Sequence, residues 1–186
     1  MQVADYTRMN EQDYLTLEAR SPVRHEYVDG NVYAMTGASL RHNVITGSIF
    51  ALLRAHLRGT PCRAFVSDAK LRVAKARAYY YPDVMVTCDP RHQNVGPADA
   101  VVEAPKEVIE VLSVTTEGTD RREKLFAYKS LPSLEEYVLV GQDEARIEIH
   151  RRRGDIGWEI VTLAPGDPVE LRSLEFRSDF PAIYEE

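Results

Sequence analysis

The sequence predicts an α/β (mixed α+β) fold, a twisted mixed sheet flanked by helices and preceded by an N-terminal helix and hairpin. Three observations carry this prediction. Over residues 39–57, Ile45, Ile49, Leu52, Leu53 and Leu57 recur at helical spacing. From residue 63 to 113, short runs rich in β-branched and aromatic residues alternate with chain breakers. Residues 107–113, a short helix and residues 136–140 then follow in the order of a parallel strand–helix–strand unit.

Each element has a local cause. Asn10 is placed to cap a helix at 11–18, with Asp13 at its third position, and Ser21-Pro22 stops it. Residues 24–28 and 31–35 flank Asp29-Gly30, a dipeptide that tolerates the positive φ angles of a tight hairpin turn. The long helix over 39–57 is expected to end at Gly59. Residues 63–66, 70–73, 79–87 and 107–113 read together as the central sheet. The stretch 88–106, with Pro90, Gly96, Pro97 and Pro105, reads as a long loop expected to border the functional site. Asp120 and Glu123 form a capping pair for a helix that runs to about Ser130, before Pro132. Residues 146–151 and 158–163 read as a meander around Gly154 and Gly157.

Composition narrows the class. With 186 residues, 44% hydrophobic and 28% charged, the chain is expected to form one domain over 1–186. Its first residues, Met1-Gln2-Val3-Ala4-Asp5, lack the features of a signal peptide, and no apolar run is long enough to span a bilayer. A cytoplasmic protein with no membrane partner is expected. Cys62 and Cys88, the only cysteines, are far apart and read as small core residues rather than a disulfide or zinc pattern. A net charge of −6 argues against a protein that coats nucleic acid. The clusters Arg54/Arg58/Arg63, Arg72/Lys75/Arg77 and Arg151-Arg152-Arg153 read as solvated surface.

Some ionisable residues stand where a core would have none. Asp83 follows Pro82 and opens the apolar strand Val84-Met85-Val86, while Glu110 interrupts the run Val108-Ile109-Glu110-Val111-Leu112. Burying a carboxylate costs several kcal/mol unless it is paired, hydrogen-bonded or bound to metal, and a divalent cation meets that need. Lys124 lies in the first turn of its expected helix, where the dipole disfavours a cation. It shares a face with Ala127, Tyr128 and Leu131, so its amine should point toward the sheet. Glu26 sits on the first hairpin strand. His42, in the first turn of the long helix, is within reach of a phosphate, although such a histidine is more often polar surface. Asp68 and Lys70 flank a strand entry and are not counted as site residues. Tyr79-Tyr80-Tyr81 reads as sheet rather than a base-stacking platform.

Pro82-Asp83, then Glu110 with Val111-Leu112-Ser113, then Asp120-Arg121-Arg122-Glu123-Lys124 resemble the Uma family of restriction-endonuclease-like proteins, within the PD-(D/E)XK nuclease superfamily. The likeness runs from Tyr14-Leu15 through His25-Glu26-Tyr27-Val28-Asp29-Gly30 and His42-Asn43 to Glu136-Tyr137-Val138-Leu139-Val140. One position departs from the superfamily pattern: lysine is expected two residues after the acid, where this chain has Leu112. In the Uma-like group the following helix is thought to supply that lysine, and Lys124 matches.

The resemblance implies a restriction-endonuclease-like fold and a metal-dependent endodeoxyribonuclease. Asp83 and Glu110 would bind Mg²⁺, or Mn²⁺ in its place, with Glu26 as a third ligand and Lys124 assisting the attacking water. DNA is the expected substrate, and a homodimer would pair two sites for cleavage of both strands. The alternative is a nuclease-like domain that no longer cuts and binds a protein or nucleic-acid partner. A glycoside hydrolase using paired carboxylates ranks last, since no aromatic platform for sugars is visible.

Overall fold

In this computed structural model of the protein, six strands build the larger sheet. Their spatial order is β11 (Trp158–Leu163), β10 (Ile147–Arg152), β9 (Glu136–Gly141), β8 (Glu107–Leu112), β6 (Val84–Thr87) and β3 (Arg63–Val66). β8 and β9 pair in parallel, and the other neighbours are antiparallel. The structure describes residues 8–35, 37–96, 100–113 and 117–185, so the opening residues 1–5 and Pro97 of the long loop lie outside it. A second sheet has the order β2 (Asn31–Ala34), β1 (His25–Val28), β5 (Ala78–Tyr80), β4 (Lys70–Val73) and β7 (Val101–Val102). Among the described residues no helix is long and apolar enough to cross a membrane.

Alternation along the strands divides the core into two layers. Val84, Val86, Ile109, Val111, Val138 and Val140 face the helix α2 (Leu40–His56). Met85, Val108, Leu112, Tyr137 and Leu139 face β4, β5 and the helix α4 (Leu125–Lys129). Each buried aliphatic or aromatic side chain contributes roughly 1.5–3 kcal/mol, so the position that breaks this alternation, Glu110, must be held by specific partners.

Several sequence expectations hold at their boundaries. Asn10 caps α1 (Glu11–Glu18) by accepting from Asp13 N–H at 2.9 Å. Asp29 and Gly30 turn the hairpin with φ of 44° and 96°. Ser39 caps α2 by accepting from His42 N–H, and Gly59 follows its end with φ 80°.

Other expectations need correction. Residues 79–87 are not one strand: β5 and β6 belong to different sheets, and Tyr81-Pro82-Asp83 makes the transfer. Pro82 has no N–H for a ladder, and its ring restricts the residue before it. Cys62 and Cys88 are joined as a disulfide. The antiparallel register Arg63↔Thr87 sets the two residues opposite each other, a proximity that spacing in sequence does not show. Arg151 is buried rather than solvated, with its Nε 2.6 Å from Glu136 Oε1. The C-terminal segment forms β12 (Val169–Leu171), β13 (Phe176–Ser178) and α5 (Phe180–Tyr184), none anticipated, which cover the α2 face of the larger sheet.

The helix carrying Lys124 starts earlier than expected. α3 (Glu117–Thr119) runs into a π turn, Asp120–Lys124, and then into α4. Asp120 is therefore inside the helix rather than its cap, and Lys124 is in its second turn. Short π segments inside α-helices often occur at functional sites, because the wider turn re-aims side chains.

Candidate active site

A cavity of about 520 Å³ opens between the start of α2, the β5–β6 junction, the end of β8 and the π turn. Asp83, Glu110, Asp120, Lys124 and His42 all line it. Pro82 places Asp83 one residue before β6, and the pleat of β8 turns Glu110 toward the same layer. The register Val84↔Ile109 then sets the two acids side by side.

In each acid the two oxygens are unequally engaged by the described residues. Asp83 Oδ2 accepts Val111 N–H at 2.7 Å and lies 3.2 Å from His42 Nε2, while Oδ1 receives no hydrogen bond from the described residues. Glu110 Oε1 lies 3.2 Å from Lys124 Nζ and accepts from Tyr128 Oη at 3.0 Å. Among the described residues, Glu110 Oε2 accepts only from Asp83 N–H, at a long 3.4 Å.

Lys124 is the electrostatic hub. Its amine lies 3.0 Å from Glu26 Oε1, 3.2 Å from Glu110 Oε1 and 3.2 Å from Asp120 Oδ1, with only 7% of the side chain exposed. Burial pulls the Lys124 pKa down, but Glu110, Glu26 and Asp120 together hold it well above the usual lysine value, so the amine stays protonated. Burial pushes Glu110 well above the usual carboxylate range; Lys124 opposes this, while Asp120, Asp83 and Glu26 reinforce it. Burial also lowers the His42 pKa, yet its hydrogen bond to Asp83 and the Asp83 charge leave it raised overall.

Four carboxylates thus converge on one lysine and one histidine. A divalent cation would relieve the mutual repulsion of these acids and complete the weakly engaged Asp83 Oδ1 and Glu110 Oε2. Among the described residues no group of three or more His, Cys, Asp or Glu side chains forms a ready metal cage. Two carboxylate oxygens suit Mg²⁺, which keeps several of its own waters. The donor set therefore fits that ion.

Of the residues singled out from sequence, Asp83, Glu110 and Lys124 meet at this cavity, and Glu26 adjoins them through Lys124. Leu112 is buried in the apolar core, while Lys124 reaches Glu110 from the neighbouring helix. His42 does not lie on the open surface as its position suggested: its side chain is 14% exposed and contacts Asp83. Asp68 lies outside, paired with Arg24 at 3.5 Å, and Lys70 lies over the Tyr14 ring. Tyr79, Tyr80 and Tyr81 are buried in the sheet layers and offer no stacking platform. Among its described residues, the long loop 88–106 does not line the cavity; it supplies β7 to the second sheet.

Sequence reasoning placed Tyr128 on the Lys124 face without giving it a role, and read Asp120 as a helix cap. Both lie on that face, at Asp120-x-x-x-Lys124-x-x-x-Tyr128, and carrying the face one turn back from Lys124 would have added Asp120.

The family model described as "Putative restriction endonuclease", Uma2, matches residues 11–180. The chain belongs to the Uma2 family. It is similar to two Synechocystis sp. relatives, both described as uncharacterized. Protein slr1290 is 35% identical over 181 residues, covering 97% of this chain and 94% of the relative. Protein sll1609 is 31% identical over 171 residues, covering 92% and 96%. Among solved structures, the chain is similar in fold to one titled a putative nuclease belonging to DUF820 from Anabaena variabilis. The TM-score is 0.78 and the identity 16%, with 95% of this chain and 98% of that one covered. The mixed α+β architecture is thus the nuclease-like fold that the Uma2 resemblance implies.

Proposed function

We propose that this Uma2 protein is a Mg²⁺-dependent endodeoxyribonuclease that hydrolyses phosphodiester bonds. The observation carrying the proposal is that Asp83, with Oδ1 accepting no hydrogen bond from the described residues, and Glu110, with Oε2 holding only a long one, line one cavity beside Lys124. A bound Mg²⁺ would neutralise phosphate charge, lower the pKa of a water and stabilise the leaving oxygen.

The chain's own residues do the rest. Asp83 and Glu110 would hold the ion, with Mn²⁺ able to replace Mg²⁺. Glu26 would assist, either as a third ligand or by anchoring Lys124, to which it is bonded. Lys124 would orient the attacking water and balance the charge building on the phosphate. Glu110, Glu26 and Asp120 around the amine favour its charged form, which suits the role of a cation beside the phosphate. Asp120 would keep that amine aimed at Glu110.

Plasmid DNA incubated with Mg²⁺, Mn²⁺ or chelator tests the reading. Nicking or linearisation with either ion, abolished by chelator and by Asp83→Asn, is expected. DNA binding without cleavage under all conditions would replace the proposal with a nuclease-like binding domain.

A further inference from the structure

The two oxygens of Asp83 are inequivalent because donors from two separate elements converge on one of them. Val111 N–H comes from β8 at 2.7 Å and His42 Nε2 from α2 at 3.2 Å. A single hydrogen bond lets a carboxylate pivot about the bonded oxygen. A second donor from another direction removes that freedom and fixes which lone pairs face the cavity.

His42 is itself held in place. Thr46 Oγ1 lies 3.4 Å from its Nδ1, one helical turn on. Its backbone N–H donates to Ser39 Oγ at 3.0 Å, and that hydroxyl donates to Gln142 Oε1 at 2.7 Å. Arg41 Nε donates to the Gln142 carbonyl at 2.7 Å. The start of α2 is thus tied to the residue following β9, and the imidazole reaches Asp83 from a fixed base.

Resting on the nuclease reading above, we propose that His42 is a positioning residue. By holding Asp83 Oδ2 together with Val111 N–H, it presents Oδ1 to the divalent ion. His42 is not a metal ligand here, since its Nε2 is spent on the carboxylate. Removing such an outer partner typically weakens metal affinity or activity by about 10–100-fold.

Calorimetric titration with Mn²⁺ in the absence of DNA tests this, on the full chain with thermal melts as the fold control. His42→Ala should bind Mn²⁺ about 10–100-fold more weakly at an unchanged melting temperature. His42→Gln, whose side-chain amide can still donate to Oδ2, should recover affinity to within a few-fold of wild type. If the Ala variant fails to fold, His42→Leu, which fills the space without a donor, replaces it. Wild-type Mn²⁺ affinity in the Ala or Leu variant, or a Gln variant no better than Ala, would overturn the positioning role while leaving the nuclease reading intact. Wild-type protein that binds no Mn²⁺, or binds it equally well as Asp83→Asn, would remove the metal site and the role of His42 together.

Discussion

The two ends of β8 each bury acids beside a cation, yet only one of them is proposed above as a reactive centre. Near its C-terminal end, Glu110 shares Lys124 with Glu26 and Asp120, and Asp83 adds a fourth carboxylate. At its N-terminal end, Glu107 is the parallel partner of Glu136, and Arg151 serves that pair. There the oxygens are largely spent. Glu136 Oε1 takes Arg151 Nε, Glu136 Oε2 takes Ser173 N–H at 2.9 Å, and Glu107 Oε2 takes Ser173 Oγ at 3.0 Å. Glu107 Oε1 is buried without a hydrogen-bond partner among the described residues, and Glu107 is fully inaccessible. A buried acid alone does not mark a site. The ends differ in what surrounds the acids: Asp83, Glu110, Asp120 and Lys124 line the cavity of about 520 Å³ together with His42, and Asp83 Oδ1 receives no hydrogen bond from the described residues.

Cleavage should separate the two ends most strongly. Lys124→Met should reduce Mg²⁺-dependent plasmid nicking by about 10²–10³-fold, the loss typical of removing one preorganised charge-stabilising group. Arg151→Met should leave the rate per folded molecule within roughly twofold of wild type, as expected of a site not coupled to the chemistry. Folded Arg151→Met protein that does not nick would erase the distinction.

Stability should show the two ends as alike. Breaking a buried ion pair from one side costs about 3–5 kcal/mol, so both variants should lose similar stability in urea unfolding. A small loss in Lys124→Met alone would mean that a proton on the neighbouring acids absorbs the missing charge. Glu110 is the acid placed to take it, since burial already raises its pKa.

Acid titration sharpens the contrast further. Burial pushes Glu107 well above the usual carboxylate range, reinforced by Glu136. The folded protein therefore holds this proton more tightly than the unfolded chain does. That contribution to stability is complete below the unfolded pKa of roughly 4.3 and is lost as pH rises through the raised folded value. Glu107→Gln keeps the neutral shape, so it should gain on wild type between about pH 5 and pH 8 when urea midpoints are compared. Parallel midpoints at both pH values would mean that Glu107 ionises normally.

Tyr128→Phe should have the smallest effect. It removes the hydroxyl on Glu110 Oε1 but leaves Lys124 there, so about 1 kcal/mol of stability should be lost. Urea unfolding measures it, and a loss several times larger would make the hydroxyl a principal support of Glu110.

Much of this was legible in the chain. The α2 stripe, the Asp29-Gly30 turn and the β8–helix–β9 order are local patterns that survive folding. Asp83 and Glu110 were visible because each is an acid at or inside an apolar strand, and Lys124 because it shares a face with Ala127, Tyr128 and Leu131; with the earlier helix start, Lys124 is no longer in a first turn. What escaped depends on pairing between distant segments. Cys62 meets Cys88 only through the β3–β6 register, and Arg151 meets Glu136 only through the β9–β10 register. Short strands such as β12 and β13, three residues each, carry too little periodicity to declare themselves. Asp120 escaped because an acid near an expected helix start reads as a cap.

The wide turn between α3 and α4 implies a sensitivity to chain length. Deleting one residue within it, Arg122 for example, would let the backbone relax into regular α-helix and swing the preceding side chains by about 100° relative to those that follow. Asp120 and Lys124 could then no longer address the same neighbours. Insertions and deletions there should be far less tolerated than substitutions at the exposed Arg122 itself.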